Sequence, residues 1–438
     1  MPLTRLGRLA NGERRGFPPS SLLHVTILLV CLVAPGVLLS GVRVAWSADT
    51  APRPLLAKGQ LPVDWWFVFK FGSAKPFAGC GPDTGKRVCP FGGAVRTDGS
   101  FGQQFVYASS KDTKLTKGRG CLGAHVDDPL GATFDQVYGG SFFYVVWNDQ
   151  FYRDPAICGS SASCGGTWGH SKGMLAWNDA GEGFILQVTT PSWPGSGSKQ
   201  IGRKSGNTLG CIRTNNNLIA AQHFFALKLT KADLMRTLAA LANASVVTDP
   251  TKLQIVKNGG PSDVRLLVEA LGQKSKSTRF MQTKLSTGVV LISKPSLLKV
   301  PPWQMVSALL GGTEGKAATW WTRPWIPTTK KSSKVGCWDS QLSKPGPIDI
   351  VTSGEWDSNE IGLIAPKNHA KIGIVSVGNK RYAIFGDLNQ QGTLSPPDCD
   401  KSQNGRGGLF FVIESKQLFD GIAGLLDGGI AATTVPRK

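Results

Sequence analysis

The sequence predicts an α+β fold of two pseudo-repeated halves, each a mixed sheet with flanking helices, packed face to face. Three observations carry this. His170-Ser171-Lys172 and His369-Ala370-Lys371 repeat one short pattern about 200 residues apart, and each opens an apolar segment. Glycine (54) and proline (27) are frequent, which favours turns and strands over long helices. The two stretches also share an order: strands, His-x-Lys, hairpin, helix.

The elements follow along the chain. Asp49 to Leu61 reads as a flexible entry. Asp64 to Lys70, Gln104 to Ala108 and Ser141 to Trp147 are aromatic-rich strands. The first hairpin runs from Gly173 to Trp177, turns at Asp179-Ala180-Gly181 and returns from Phe184 to Thr190. Thr230 caps a helix through Leu234, Leu238 and Leu241, with Asp233 in the capping-box position. Asp-Pro and Gly-Gly punctuation between Val247 and Gly260 marks a boundary. Beyond it come a helix at Asp263–Leu271, paired strands within Arg279–Ser293 and a short helix at Gln304–Leu310. Lys330–Pro347 is a basic loop. The second hairpin uses Ile372–Val377, a turn at Gly378-Asn379, and Tyr382–Phe385. A Gly-rich loop at Gln403–Gly408, a strand at Leu409–Ile413 and a helix at Gln417–Leu426 close the chain.

Residues 1–48 read as a signal peptide. Arg5, Arg8, Arg14 and Arg15 precede an apolar run from Leu22 to Leu39, and small residues follow around Ala45, Ser47 and Ala48. An uncleaved anchor is the competing reading; Pro35 and Gly36 interrupt the run. The organisation expected is a leader at 1–48, a first half at 62–246 and a second half at 261–438. The product is secreted or periplasmic, with no stable membrane association after cleavage. Eight cysteines lie beyond the leader, an even count that favours disulfides in an exported chain. Cys80/Cys89 and Cys158/Cys164 are each spaced to close a short loop. No Cys-x-x-Cys spacing is present, which argues against zinc. The charge is +20, in loose clusters such as Lys111, Lys114, Lys117 and Arg119, or Lys330, Lys331 and Lys334. A polyanion is the natural partner of such a surface; a cationic surface kept for solubility is the alternative.

Only five histidines exist, and two sit in the repeated pattern. On an extended strand, residues i and i+2 point to one side, so each copy aims an imidazole and an ammonium together. Histidine serves as nucleophile or acid/base, and lysine attracts phosphate. Two copies face to face suit phosphodiester chemistry without a metal or other cofactor. A single His-x-Lys arises easily by chance; the pair, each at a hairpin start, does not. His125 and His223 lack such a pattern and read as structural. The tryptophans, Trp65-Trp66 and Trp320-Trp321 among them, read mainly as core, with base stacking as the alternative.

The motifs together resemble the deoxyribonuclease II family, within the phospholipase D superfamily. Val63-Asp64-Trp65-Trp66-Phe67 is similar to its early Asp-Trp-Phe strand, and Gly169-His170-Ser171-Lys172-Gly173 to its Gly-His-Thr-Lys-Gly motif. Phe184 to Pro191 resembles the strand that follows. Gly206-Asn207-Thr208-Leu209-Gly210-Cys211 resembles a Gly-Gln-Thr-Leu-Leu-Cys segment, and Asn368-His369-Ala370-Lys371 the Asp-His-Ser-Lys motif. Gly386-Asp387-Leu388-Asn389 and Arg406-Gly407-Gly408 are similar to its C-terminal elements. The likeness spans most of residues 62–415. There are departures: Val188-Thr189 stands where the family often has His-Ser, Ser192 replaces a polar Asn, and Ala370 and Ile372 replace Ser and Trp.

The resemblance implies a phospholipase D-like fold and a secreted, metal-independent endonuclease that cuts DNA through a phosphohistidine to leave 3′-phosphate ends, favouring acidic pH. His170, Lys172, His369, Lys371 and Asn389 would be catalytic, with His170 the nucleophile. Thr189, Asp387, Asn207 and Thr208 would contact substrate, although Asp387 also suits a turn cap. No cofactor is implied. A monomer with an internal pair of half-sites and a homodimer both stay open. The competing functions are another superfamily phosphodiesterase, acting on RNA or phospholipid, and a non-catalytic DNA- or cell-wall-binding relative.

Overall fold

Apolar and aromatic runs at strand period build two sheets. The computed structural model describes residues 50–72, 104–119, 122–123, 126–138, 141–151, 164–191, 193, 220–253, 255–364 and 367–433. The expected signal peptide, Asn207 and Thr208, and the pairs Cys80/Cys89 and Cys158/Cys164 (apart from Cys164) lie outside these residues. The first sheet contains β1 (Trp65–Lys70), β2 (Phe105–Ser109), β3 (Thr116–Lys117), β4 (Phe143–Asn148), β5 (Lys172–Trp177), β6 (Gly183–Val188), β7 (Gln222–Leu229) and β8 (Val256–Lys257). Its order is β3-β2-β1-β7-β6-β5-β4-β8, antiparallel throughout. Strands β1, β5 and β6 are buried along their whole length. That burial on both faces explains their unbroken apolar runs, unlike the alternation of half-exposed strands.

The second sheet contains β9 (Met281–Lys284), β10 (Val290–Lys294), β11 (Glu314–Ala318), β12 (Asp349–Ile350), β15 (Ile372–Val377), β16 (Lys380–Gly386) and β17 (Gly408–Glu414); β13 (Glu355–Trp356) and β14 (Asn359–Glu360) form a separate hairpin. Its order is β12-β11-β15-β16-β17-β10-β9, with only β11 and β12 parallel. The central five strands of the sheets therefore run in one order: β1-β7-β6-β5-β4 and β10-β17-β16-β15-β11. The first His-x-Lys leads into β5 and the second into β15. The class is α+β, as expected.

Among the described residues five helices flank the sheets: α1 (Pro129–Tyr138), α2 (Lys231–Asn243), α3 (Ser262–Glu269), α4 (Pro302–Leu310) and α5 (Lys416–Leu425). Thr230 caps α2 and forms the capping box with Asp233, as the sequence indicates. Leu234, Leu238 and Leu241 of α2 are buried, and the Ser293 hydroxyl donates to Ala240 O (2.8 Å). This helix thus also packs on β10 of the second sheet. Helix α1, strand β7 and strands β11 and β12 were not foreseen. The entry expected to be flexible is docked on α1: Leu55 N–H donates to Thr133 Oγ1 and Arg53 N–H to Gln136 Oε1.

Aromatic rings close the seam between the sheets. Phe67 stacks on Phe385 at 4.3 Å and Phe225 on Phe385 at 4.9 Å, while Phe225 meets Phe411 at 5.2 Å. All four side chains are fully buried. Such stacked pairs add to the stabilisation from area burial alone. Phe385→Ala is therefore expected to destabilise the protein by about 3–5 kcal/mol, since a cavity opens where both sheets meet. Denaturant unfolding followed by tryptophan fluorescence measures this.

Candidate functional site

The two His-x-Lys segments meet at this seam. His170 N–H donates to Gly407 O (2.8 Å), just before β17 of the second sheet. His369 N–H donates to Ala221 O (2.8 Å), just before β7 of the first. Each histidine is thus seated on the lead-in of the opposite sheet's strand. Gly407 has no room for a side chain: a Cβ there would lie 2.1 Å from Ala244 O. The imidazoles and lysines that result are close enough for their charges to interact, His369 with His170, Lys172 and Lys371, and Lys371 with Lys172.

Asp149 organises the first half of the site. It follows β4 and is fully buried. Its carboxylate accepts from His170 Nδ1 (2.8 Å), Lys172 Nζ (2.7 Å) and an Arg406 guanidinium nitrogen (2.8 Å). Burial pushes this carboxyl up, but the charges of His170, Lys172 and Arg406 outweigh it and hold Asp149 well below the usual carboxylate range. Arg406 also donates to the carbonyls of Cys164, Trp168 and Gly169, fixing the peptide that enters the motif. With Nδ1–H on Asp149, the lone pair of His170 Nε2 faces Asn389, whose Nδ2 lies at 3.5 Å. Burial brings the His170 imidazole down to about 3, with Asp149 pulling the other way.

The second half differs. Among the described residues no carboxylate pairs with His369; its ring instead lies against Trp320 at 4.8 Å. Strand pairing places these neighbours in matching positions. Lys172 pairs with Asn148, and Ile372 with Ala318. Asp149 and Trp320 each stand one residue beyond the position opposite the motif lysine. Burial and the charge of Lys371 hold His369 well below its ordinary value. Burial, then Lys172, brings Lys371 down to about 7. Lys371 Nζ donates to His369 O (2.6 Å).

His170, Lys172, His369, Lys371 and Asn389 are thus gathered in one place. Thr189 and Asp387 are placed beneath it and turned to internal partners. Thr189 Oγ1 donates to Gln222 Oε1 and accepts from His223 N–H, at 2.9 Å each. Asp387 accepts from Gln187 Nε2 and Leu409 N–H, also at 2.9 Å, and from the Ser171 hydroxyl. Burial raises the Asp387 carboxyl to about 6 against these hydrogen bonds. His223 accepts from Lys371 N–H at Nδ1 (3.1 Å) and lies 3.3 Å from Gln187 Oε1 through Nε2. It is a buried link between the sheets, in keeping with its structural reading. The sequence alone missed Asp149, and it carried Arg406 only as part of a motif. The one available signal for Asp149 was the polar pair Asn148-Asp149 ending an aromatic strand.

Two imidazoles and two lysines thus stand together at the junction of the two sheets. Ammonium groups can attract phosphate, and imidazoles can act as nucleophile or proton carrier. Residues 56–234 match the family model described as Deoxyribonuclease II. Over that segment, less than half of the chain, the protein is similar to the deoxyribonuclease II family, a match that supports a deoxyribonuclease-type nuclease in general. The matched segment includes His170 and Lys172 and ends before the second half. No curated protein matches the chain significantly. Among the described residues no helix is long and apolar enough to cross a membrane.

Asp149→Asn leaves Lys172 and Arg406 buried without their counter-charge, and is expected to cost about 3–5 kcal/mol at neutral pH. The folded value of Asp149 is depressed, so its contribution is fully present above the unfolded value near 3.9 and is lost as pH falls below it. Thermal melts of both proteins should show a steady gap above about pH 4 that narrows at lower pH.

Proposed function

We propose that this protein is a secreted, metal-independent endonuclease that hydrolyses DNA phosphodiesters through a phosphohistidine. The observation that carries the reading is the convergence of His170–Lys172 with His369–Lys371 at the seam. In this reading the two sheets are pseudo-repeated halves of a phospholipase D-like fold, each giving one half-site. His170 Nε2 attacks phosphorus, because Asp149 holds the proton on Nδ1 and leaves the Nε2 lone pair available. The bond to the 5′-oxygen breaks, and that oxygen takes a proton from His369. His369 then removes a proton from water, which attacks phosphorus and releases His170. The phosphate stays on the 3′ side. Lys172, Lys371 and Asn389 stabilise charge on the phosphoryl oxygens. The cationic surroundings favour phosphate over a divalent metal ion.

Both ends of the pH range support an acidic preference. One imidazole must enter protonated, and burial holds both below the ordinary value, so the competent form accumulates as pH falls. Lys371, at about 7, loses its charge above neutrality. The disulfide between Cys337 and Cys399 fits an exported protein. Because both half-sites belong to one chain, a monomer suffices for the chemistry, and a homodimer would add reach rather than catalytic groups.

Plasmid cleavage in EDTA tests this reading. Cutting is expected to persist in EDTA, to leave 3′-phosphate ends and to fall as pH rises from about 5 to 8. His170→Ala and His369→Ala should each lower it by about 10²–10⁴-fold while DNA still binds. A 5′-phosphate end, or cutting retained in either variant, overturns the assignment; preferential cleavage of RNA or phospholipid reassigns the substrate. In Lys371→Met, His369 is expected to titrate at higher pH, because a neighbouring cation has gone. Imidazole NMR reads that shift without reference to activity.

A further inference from the structure

A second feature lies beside the site, on the segment that follows β11. After Trp320, which rests on His369, the chain turns outward. Trp321, Thr322, Arg323 and Trp325 line a cavity of about 430 Å³ whose other wall is Thr352 and Ile364. Among the described residues no acidic side chain lines it. The indoles of Trp321 and Trp325 lie 5.4 Å apart, and the Arg323 guanidinium sits 4.9 Å over the Trp325 ring. Trp325 is 42% exposed, whereas Trp66, Trp147, Trp177, Trp193 and Trp303 are fully buried. An exposed indole paired with an arginine is not explained by core packing.

The shelf is tied to the site by hydrogen bonds. Trp321 Nε1 donates to Ile326 O (2.9 Å), and Ile326 N–H to Gln390 O (3.2 Å). Gln391 Nε2 donates to Thr322 Oγ1 (2.6 Å). Asn389 Nδ2 lies 3.3 Å from Gln391 Oε1 and 3.5 Å from His170 Nε2. The indoles are therefore held at a fixed place relative to the reacting groups.

We propose that Trp321, Arg323 and Trp325 form a subsite that stacks an unpaired nucleobase of the DNA strand being cut. The proposal rests on the reading of the neighbouring site given above. Indole faces attract the π-face of any base, and the guanidinium adds a cation that can stack or meet a phosphate. The cavity has the size of a small-ligand pocket. In a duplex the base faces are covered by their neighbours, so only a single strand or a locally opened segment offers such a face. The site thereby favours single-stranded or opened DNA without base-sequence specificity.

Binding separates this subsite from the chemistry. In a His170→Ala background, the dissociation constant is measured for an oligodeoxythymidylate of about twelve nucleotides and for an abasic strand of equal length. Trp325→Ala is expected to weaken oligodeoxythymidylate binding about tenfold or more and to leave the abasic strand unchanged. Trp325→Phe should restore most of the loss. Arg323→Gln, an exposed change that spares the fold, should weaken binding of the base-bearing strand several-fold. Equal weakening of both strands by Trp325→Ala, or of neither, overturns the subsite. If the wild-type chain cuts no diester yet shows the Trp325-dependent difference, the hydrolytic reading fails and the subsite stands. If it cuts DNA and binding ignores Trp325, the reverse holds.

Discussion

Two backbone hydrogen bonds set the geometry of this protein. His170 N–H reaches Gly407 O in the opposite sheet, and His369 N–H reaches Ala221 O in return. A side chain on an exposed loop would sample many positions. Here each histidine backbone is seated on the lead-in of a central strand, so the imidazoles inherit the rigidity of the sheets. The peptides they dock on are held in turn. Lys70, at the end of β1, donates to Ala220 O (2.7 Å). Lys294, at the end of β10, donates to Asn404 O (2.7 Å) and Arg406 O (2.9 Å). Each buried ammonium satisfies carbonyls beside the seat of the other sheet's histidine. The pattern is reciprocal, like the strand order itself.

Electrostatics then makes the two halves unlike. The position after β4 carries Asp149; the matching position after β11 carries Trp320. A buried carboxylate among two cations and an imidazole is stable only because all its partners are present, since removing one leaves a charge without solvent. That arrangement orients His170 and fixes which nitrogen bears the proton. His369 has an aromatic face beside it and stays responsive to the cations around it. Similar backbones thus present chemically different imidazoles, the asymmetry that the proposed two-step hydrolysis uses.

The polar network beneath the site ties the halves together through groups that never reach solvent. Asp387 collects hydrogen bonds from Ser171, Gln187 and Leu409, and His223 links Gln187 to the Lys371 peptide. Thr189 holds the corresponding place in the first half, bonded to His223 as Asp387 is to Leu409. Their burial makes Thr189 and Asp387 supports for the junction.

Much of this was legible in the chain. Strand period, hairpin turns, the Thr230–Asp233 cap and the two His-x-Lys copies are local patterns, fixed by residues a few positions apart, and the structure places elements where those patterns indicated. Helix α1 and strand β7 were missed although each has a local signal: Asp128 accepts from Gly131 N–H (2.9 Å) just ahead of Pro129, and β7 ends at the Thr230 cap. Asp149, Arg406 and Trp320 lie far in sequence from the histidines they serve, and no spacing rule connects residue 149 to residue 406. The sequence by itself determined which chemical groups this protein has and which strands present them. Only the tertiary structure decided which histidine receives the carboxylate and which the indole, because those partners meet only when β4 pairs with β5 and β11 with β15, strand pairings that no local pattern specifies.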